Sequence, residues 1–166
     1  MFAKCSFLCY NNSTERRAAM GNRAYRYRAY LTDDQFELAM KTVGSCRYVY
    51  NKALEYRNNR YQEEHVSVSY SKLSEWLTGL KEELPWLREV DSIALQQSLR
   101  HLNDAFKNFF DRKQGAGYPK FKSKHTSGWS YTTMCINNNL RIEEGFLVMP
   151  KLGRVRILPV RDVPDG

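Results

Sequence analysis

The chain has 166 residues, of which 42% are hydrophobic, and its formal net charge is +8 at pH 7. This length suits one good hydrophobic core or two small ones that share an interface, and the charge makes polyanions the expected partners. No stretch approaches the roughly 18 apolar residues of a membrane span, so we expect no membrane partner. The four cysteines have neither the Cys-x-x-Cys pairs of zinc sites nor a disulfide framework, which predicts a reducing, cytoplasmic compartment.

The charge is unevenly distributed along the chain. The net charge is +2 over residues 1–22, +4 over 23–60, −3 over 61–110 and +5 over 111–166. Two basic ends therefore flank an acidic middle. We expect a bound polyanion to be held by the segments on either side of the central helices.

The first predicted element is a strand. Residues 1–22 show no clear periodicity and are predicted to form a disordered or accessory arm. Residues 23–31 follow as the first strand, because Tyr27 and Ala29 alternate with Arg26 and Arg28.

A helical block is predicted over residues 32–114. Thr32 and Gln35 have the spacing of a capping box, and the helix that they begin is predicted to close at Gly44. A second helix follows to about Arg60, so residues 33–60 have the pattern of a helix-turn-helix. A plain pair of antiparallel helices that touches no DNA is the alternative.

The rest of the block contains two more helices. Residues 71–80 form a short amphipathic helix, and Pro85 breaks the segment that follows. The longest helix begins at Asp91 or Ser92 and ends near Gln114, and its apolar residues recur three or four positions apart. The buried side of this helix is predicted to comprise Ile93, Leu95, Leu99, Leu102, Phe106 and Phe109.

Residues 115–127 form a predicted basic, aromatic loop. From Tyr118 to Lys124 aromatic rings alternate with ammonium groups, and Pro119 keeps this stretch from being helical. Cations can pair with phosphates, and rings can lie against bases or sugars. A solvated loop whose Phe121 fills the core is the competing interpretation.

Beyond residue 127 the apolar periodicity changes from 3.6 to 2. Short alternating runs at 129–136, 140–142, 146–149 and 155–160 are separated by turn residues, which predicts a β-meander over residues 128–166. The chain is therefore predicted to have an α+β fold, with one sheet or barrel interrupted by an inserted helical block. The first strand is expected to join the last ones.

A set of ordered motifs over residues 23–160 resembles the OrfB/TnpB family encoded by insertion sequences. The motifs are Tyr27-Arg28-Ala29-Tyr30-Leu31-Thr32 with Gln35, Gly44-x-x-Arg47-Tyr48-Val49-Tyr50-Asn51, Trp86-Leu87 with Ser92-x-x-Leu95-Gln96-x-x-Leu99, Ala105-Phe106-Lys107-Asn108-Phe109-Phe110, Tyr118-Pro119-Lys120-Phe121-Lys122, Asn137-Asn138-Asn139 and Pro150-Lys151-Leu152-Gly153. The first 22 residues lie outside this resemblance.

The resemblance implies an RNA-guided, transposon-associated DNA endonuclease of a bacterial or archaeal nucleoid. In this family the N-terminal half forms a small oligonucleotide-binding-like β-barrel with a helical recognition insert, and it holds guide RNA and motif-flanked DNA. The family's nuclease is a RuvC-like domain with a divalent metal bound by acidic residues, and it begins beyond the point where this sequence stops. We therefore expect this chain to have no catalytic residue and no cofactor.

Nucleic-acid contacts are expected at residues that match these motifs or belong to the basic segments. Gln96 can pair with adenine, and the resemblance implies that Tyr70 lies near motif DNA. Arg47 and Asn51 either contact the nucleic-acid backbone or hold the helices together. The predicted contacts are Arg26, Arg28, Arg47, Asn51, Tyr70, Gln96, Lys120, Phe121, Lys122, Lys124, Lys151, Arg154 and Arg156.

Two other functions remain open from the sequence. The chain could be a truncated interaction or decoy protein that docks on an intact relative or on a separate nuclease chain. It could also be a helix-turn-helix DNA-binding regulator, which would require a symmetric dimer.

Overall fold

Five antiparallel strands form one sheet in the computed structural model, which describes residues 2–7 and 25–159. The strands are β1 (Phe2–Phe7), β2 (Tyr25–Tyr30), β3 (Arg141–Glu143), β4 (Phe146–Met149) and β5 (Gly153–Pro159). Their order across the sheet is β1-β2-β5-β4-β3. The predicted strand at residues 23–31 is thus confirmed as β2, and it joins the late strand β5 with Tyr30 opposite Arg156.

The sheet is open, and the expected closed barrel is not formed by the described residues. Strands β1 and β3 lie at opposite edges of the sheet and do not pair with each other. Closing a barrel requires its two edge strands to exchange hydrogen bonds, and the three-residue strand β3 offers few. The α+β class and the meander of β3, β4 and β5 are confirmed.

The predicted N-terminal arm contributes a strand. Residues Phe2–Phe7 form β1 and pair with β2 from Phe2 opposite Tyr30 to Phe7 opposite Tyr25. A disordered arm does not describe this segment, because β2 offers it a full edge of backbone hydrogen-bonding groups. The rest of the predicted arm, residues 1 and 8–22, lies outside the described residues.

Helix α1 runs without interruption from Asp33 to Glu64. The predicted turn at Gly44 is therefore wrong, since Gly44 lies inside the helix. A glycine in a helix interior costs only about 1 kcal/mol relative to alanine. Burying Val43, Cys46 and Val49 on one side of α1 outweighs that cost, because each buried aliphatic side chain contributes roughly 1.5 to 3 kcal/mol.

The chain divides into two compact units, residues 1–38 with 134–166 and residues 39–133. The second unit contains α2 (Tyr70–Glu83), a short 3-10 helix (Pro85–Arg88) and α3 (Ser92–Phe110). The carboxylate of Asp91 caps α3 by accepting a 2.9 Å hydrogen bond from the backbone N–H of Ile93. Among the side chains that fill the core of this unit, the largest are Val49, Leu54, Leu73, Leu87, Val90, Leu95, Leu99 and Leu102.

Residues 129–136, predicted to be a strand, have no regular secondary structure. Within the helical unit, the hydroxyl of Thr133 donates a hydrogen bond to the Asp91 carboxylate that caps α3. Alternating polarity therefore did not lead to strand pairing here, and Thr133 bonds instead to the residue that caps α3. None of the helices in residues 25–159 is long and apolar enough to cross a membrane.

Candidate nucleic-acid interface

One face of the sheet carries a group of arginines. Strands β2 and β5 alternate between a buried face, where Ala29, Val155 and Ile157 are at most 3% exposed, and an open face. Four of the intervening positions on these two neighbouring strands are exposed arginines, namely Arg26, Arg28, Arg154 and Arg156, and the same face includes Tyr30 and the exposed Leu158. The first unit therefore brings together two pairs of predicted contact residues that lie more than 120 positions apart in the chain.

Aromatic rings stand among these arginines. Arg156 is opposite Tyr30 on one side and opposite Phe146 on the other, so the three side chains form one row across the sheet. The guanidinium carbon of Arg154 lies 4.7 Å from the centroid of the Phe146 ring. Guanidinium groups that can pair with phosphates beside rings that can stack on bases are typical of surfaces that bind single-stranded nucleic acid.

The turn between β4 and β5 is fixed by Gln35. Its side-chain nitrogen donates hydrogen bonds to the carbonyls of Leu152, at 3.0 Å, and Arg154, at 2.9 Å. The side-chain oxygen of Gln35 accepts a hydrogen bond from the backbone N–H of Thr32. The backbone N–H of Gln35 donates to the Thr32 hydroxyl, which confirms the predicted capping box. Lys151 is exposed in this turn with a φ of 65°. Gln35 thus links the start of α1 to the segment that presents Lys151 and Arg154.

The basic aromatic loop of the second unit is held at its start by Tyr118. The Tyr118 ring lies edge-on to Phe106 and Phe109, with centroids 5.5 and 5.3 Å away, and its hydroxyl lies 2.6 Å from the side-chain oxygen of Asn58. Pro119 is buried. These contacts fix where the loop leaves the end of α3.

Asn51 holds the same loop at Lys122, four residues beyond Tyr118. The side-chain nitrogen of Asn51 donates to the carbonyl of Lys122 at 2.9 Å, and its oxygen accepts from the N–H of Lys122 at 2.8 Å. Of the two roles open from the sequence, the contacts of Asn51 support the structural one. We therefore treat Asn51 as a residue that positions the loop and no longer as a nucleic-acid contact.

Lys120 and Phe121 are presented to solvent between these two attachments. Lys120 is exposed, and the side chain of Phe121 is 59% exposed, so the interpretation that Phe121 fills the core is wrong. A large ring held outside the core by a fixed backbone is available to a ligand. Lys124 is also exposed, and its ammonium lies 5.3 Å from the centroid of the Trp129 ring.

Lys122 points in another direction from its neighbours. Its ammonium lies 4.1 Å from the centroid of the Tyr50 ring, and burial lowers its pKa. Lys122, Arg47 and His101 line a cleft of about 270 Å³ in the helical unit. Lys122 was predicted as a phosphate contact, and Arg47 as either a contact to the nucleic-acid backbone or a residue that holds the helices together, whereas His101 was not among the predicted contacts.

Tyr70 and Gln96 lie on different helices and share Arg100 as a neighbour. Tyr70 begins α2, and its hydroxyl accepts a 3.4 Å hydrogen bond from Nε of Arg100 on α3. Gln96 is exposed one turn before Arg100, so the two side chains share a face of α3. Arg100 was missed in the sequence, although its spacing of four residues from Gln96 could have indicated it.

Among residues 2–7 and 25–159, no group of three or more histidine, cysteine, aspartate or glutamate side chains is placed to hold a metal ion. Cys46 is a buried free thiol whose pKa is raised to about 11, chiefly by burial.

Comparison with known proteins identifies the family. Residues 20–65, which include β2 and α1, match the profile of the OrfB-type helix-turn-helix domain. A Streptomyces pristinaespiralis protein provisionally named an RNA-guided DNA endonuclease is 48% identical over 107 residues, 63% of this chain and 26% of that protein. The similarly named InsQ of Escherichia coli strain K12 is 34% identical over 124 residues, 73% of this chain and 30% of InsQ.

A third relative is much shorter. The virulence protein VsdF of Salmonella dublin is 36% identical over 112 residues, which are 62% of this chain and 94% of VsdF. The chain thus spans less than a third of the two longer relatives and nearly all of the short one. The chain belongs to the OrfB/TnpB family of insertion-sequence proteins and carries that family's helix-turn-helix domain.

Proposed function

We propose that this chain is a nucleic-acid-binding module of the kind found in RNA-guided, transposon-associated DNA endonucleases. It binds guide RNA and motif-flanked DNA, and the module itself needs no catalytic residue and no cofactor. The observation that carries this proposal is the exposed sheet face that Arg26, Arg28, Arg154 and Arg156 share with Tyr30 and Phe146. The provisional names of the two longer relatives agree with it.

The proposed contacts fall into two groups with different roles. Exposed cations neutralise phosphates and give affinity without sequence information, and we assign this role to the sheet arginines, Lys120, Lys124 and Lys151. Gln96, Tyr70 and Arg100 are proposed to read motif DNA, because glutamine and arginine form paired hydrogen bonds with base edges. Phe121 is proposed to stack on a base or sugar.

Salt dependence tests the proposal directly. Fluorescence anisotropy with a labelled single-stranded RNA and a labelled DNA duplex is expected to show affinity that falls steeply with salt, by a log–log slope of roughly 0.7 to 0.9 per phosphate contact. A salt-independent affinity, or no binding at low salt, would contradict the proposal.

Paired variants locate the phosphate contacts. Removing Arg28 and Arg156 together by alanine substitution is expected to reduce the RNA slope by about 1.4, at roughly 0.7 for each lost contact. A control variant with Lys72→Ala and Lys107→Ala removes the same charge from exposed positions on α2 and α3. The control should leave the slope unchanged. Equal reductions of the slope in the two variants would show that the effect comes from overall charge and not from these two positions.

The short relative favours a second candidate. VsdF matches this chain over 94% of its own length, so a protein of about this extent occurs without the remainder of the longer relatives. Such a module can act by docking on a longer relative or on a separate nuclease chain. Size-exclusion chromatography with light scattering, with and without a full-length relative, distinguishes the candidates, because only a docking protein forms a stable complex in the absence of nucleic acid.

A further inference from the structure

The cleft in the helical unit is lined by two cationic side chains, Arg47 and Lys122, and by His101. Arg47 comes from α1, His101 comes from α3, and Lys122 comes from the basic loop. None of the residues that line the cleft is an aspartate or glutamate. The polar part of its wall consists largely of hydroxyl groups, from Ser98, Ser127, Ser130, Tyr131 and Thr132.

The positive charge in this cleft is poorly compensated within the described part of the chain. The side chains of Arg47 and His101 make no hydrogen bond to any described residue, and the Lys122 ammonium rests on the Tyr50 ring. The carboxylate of Asp91 is engaged by the N–H of Ile93 and the hydroxyl of Thr133. Binding an anion would therefore offset a repulsion that the protein itself leaves in place.

The pKa directions agree with this geometry. Burial lowers the pKa of Lys122, and burial followed by the charge of Lys122 lowers the pKa of His101, against a smaller opposite effect of Asp104. Lys122 is thus a cation and His101 a potential cation in a partly dehydrated place, and the charge of Asp104 offsets this only in part. Such a site binds an anion more strongly than the same groups would in open water.

The wall formed by the basic loop is rigid. The hydroxyl and carbonyl of Ser123 accept hydrogen bonds from the N–H groups of Thr126, at 3.1 Å, and Ser127, at 3.0 Å. The Ser127 hydroxyl also donates to the Ser123 carbonyl at 2.7 Å. Together with the attachment of Lys122 to Asn51, these bonds shape the wall before a ligand arrives, which reduces the entropy lost on binding.

We propose that this cleft binds one phosphate-bearing nucleotide of a nucleic-acid strand, with Arg47, His101 and Lys122 on the phosphate. Guanidinium, hydroxyl and imidazole groups are the usual phosphate partners in proteins. A volume of about 270 Å³ is near the lower limit of small-ligand sites and admits a single nucleotide unit, whereas a duplex cannot enter. The apolar side of Val43 then faces the sugar or base. This inference rests on the proposed binding of nucleic acid and assigns a part of it to one nucleotide.

The experiment follows the three histidine imidazoles by NMR during titration of the full chain with adenosine 5′-monophosphate, inorganic phosphate or adenosine. The monophosphate is expected to shift the His101 signals and leave those of His65 and His125 in place. It should bind at least about tenfold more tightly than phosphate. Adenosine should not shift the His101 signals. Equal affinity for phosphate and the monophosphate, or binding of adenosine alone, would overturn the nucleotide assignment.

Variants separate this site from general nucleic-acid binding. Arg47→Gln should weaken monophosphate binding about tenfold or more, and Arg47→Lys should recover part of the loss, since lysine keeps the charge but cannot form the paired bonds of arginine. The Arg28, Arg156 double variant should bind the monophosphate normally and RNA weakly. Monophosphate binding that Arg47→Gln leaves unchanged, in a variant with an unaltered circular dichroism spectrum, overturns the inference.

The two proposals fail in different ways. If the chain binds RNA with the expected salt dependence but the monophosphate leaves the His101 signals unchanged, this inference fails and the proposed function stands. If neither RNA nor the monophosphate binds, both fail.

Discussion

The side chain of Asn51 on α1 forms hydrogen bonds with both backbone groups of Lys122, at 2.9 and 2.8 Å, across 71 positions of the chain. The amide reproduces the pair of bonds that a neighbouring strand would supply, so a loop without regular structure acquires a fixed backbone. This pair of hydrogen bonds has two consequences for the side chains of the loop. It turns Lys122 toward the cleft, and it leaves Lys120 and Phe121 exposed on the other side of the attachment.

Replacing Asn51 with alanine should therefore lower the stability of the helical unit. Two partly buried hydrogen bonds are lost, each with a net contribution of about 0.5 to 1.5 kcal/mol, so the free energy of unfolding should fall by about 1 to 3 kcal/mol. Urea denaturation followed by circular dichroism measures this. Asn108→Ala, at an exposed position of α3, is the matched control and should change stability by less than about 0.5 kcal/mol.

Lys120 and Lys122 should behave differently although they belong to the same motif. Lys120→Ala is expected to reduce the salt dependence of RNA binding by one contact, roughly 0.7 in log–log slope, without changing stability. Lys122→Ala removes the ammonium from the Tyr50 ring and should lower stability by about 0.5 to 1 kcal/mol. Anisotropy and urea denaturation of both variants measure the two effects, and identical behaviour would show that the loop is not fixed as described.

Gly44→Ala tests the continuity of α1. Apart from the nearby backbone of α1 itself, no atom lies within 4 Å of the position that the new β-carbon would occupy, and the glycine has an ordinary helical backbone. Alanine should therefore stabilise the chain by about 0.5 to 1 kcal/mol. Thermal unfolding measures the change, with Gly79→Ala on α2 as a second open helical position. A turn at Gly44 with positive φ would instead make alanine destabilising.

Gln96 and Arg100 are expected to affect the choice of DNA sequence. Gln96→Ala should reduce the affinity for the preferred motif while changing the affinity for other duplexes little, because a paired contact to a base contributes about 1 to 3 kcal/mol of discrimination. Arg100→Ala should have a similar effect and should also release the Tyr70 ring. Selection from a randomised duplex library, followed by sequencing, measures the preference. Uniform weakening on all duplexes would identify these residues as phosphate contacts.

The charge of His101 should be linked to anion binding. Its pKa lies below the usual value of about 6.5, so the imidazole is mainly neutral at pH 7 and gains a proton as the pH falls. Lys122, Arg47 and Asp104 are the charged groups near it, and Cys46 is neutral in this range. A bound phosphate favours the protonated imidazole, so adenosine 5′-monophosphate should raise the pKa of His101 when followed by NMR. An unchanged pKa would contradict contact between the phosphate and His101.

Local patterns in the sequence were sufficient for most of the regular structure. The spacing of Thr32 and Gln35 predicted the capping box, and alternation predicted β2 and β4, because these features depend on neighbouring residues. The cationic character of the sheet strands was also visible, since Arg26 and Arg28 alternate with Tyr27 and Ala29.

Tertiary contacts decided the rest. Gly44 is a residue type that often ends a helix in a turn, yet the burial of Val43, Cys46 and Val49 keeps the helix continuous. Three lysines of the basic aromatic loop are equivalent in the sequence, whereas in the structure the bonds from Asn51 fix the backbone of Lys122 and its ammonium lies over the Tyr50 ring. His101 meets Arg47 and Lys122 solely because two helices and a loop converge. The amino-acid sequence by itself thus determined most of the helices and strands, their polarity and the family, whereas the direction of each cation depends on partners far away in the chain, which no local periodicity encodes.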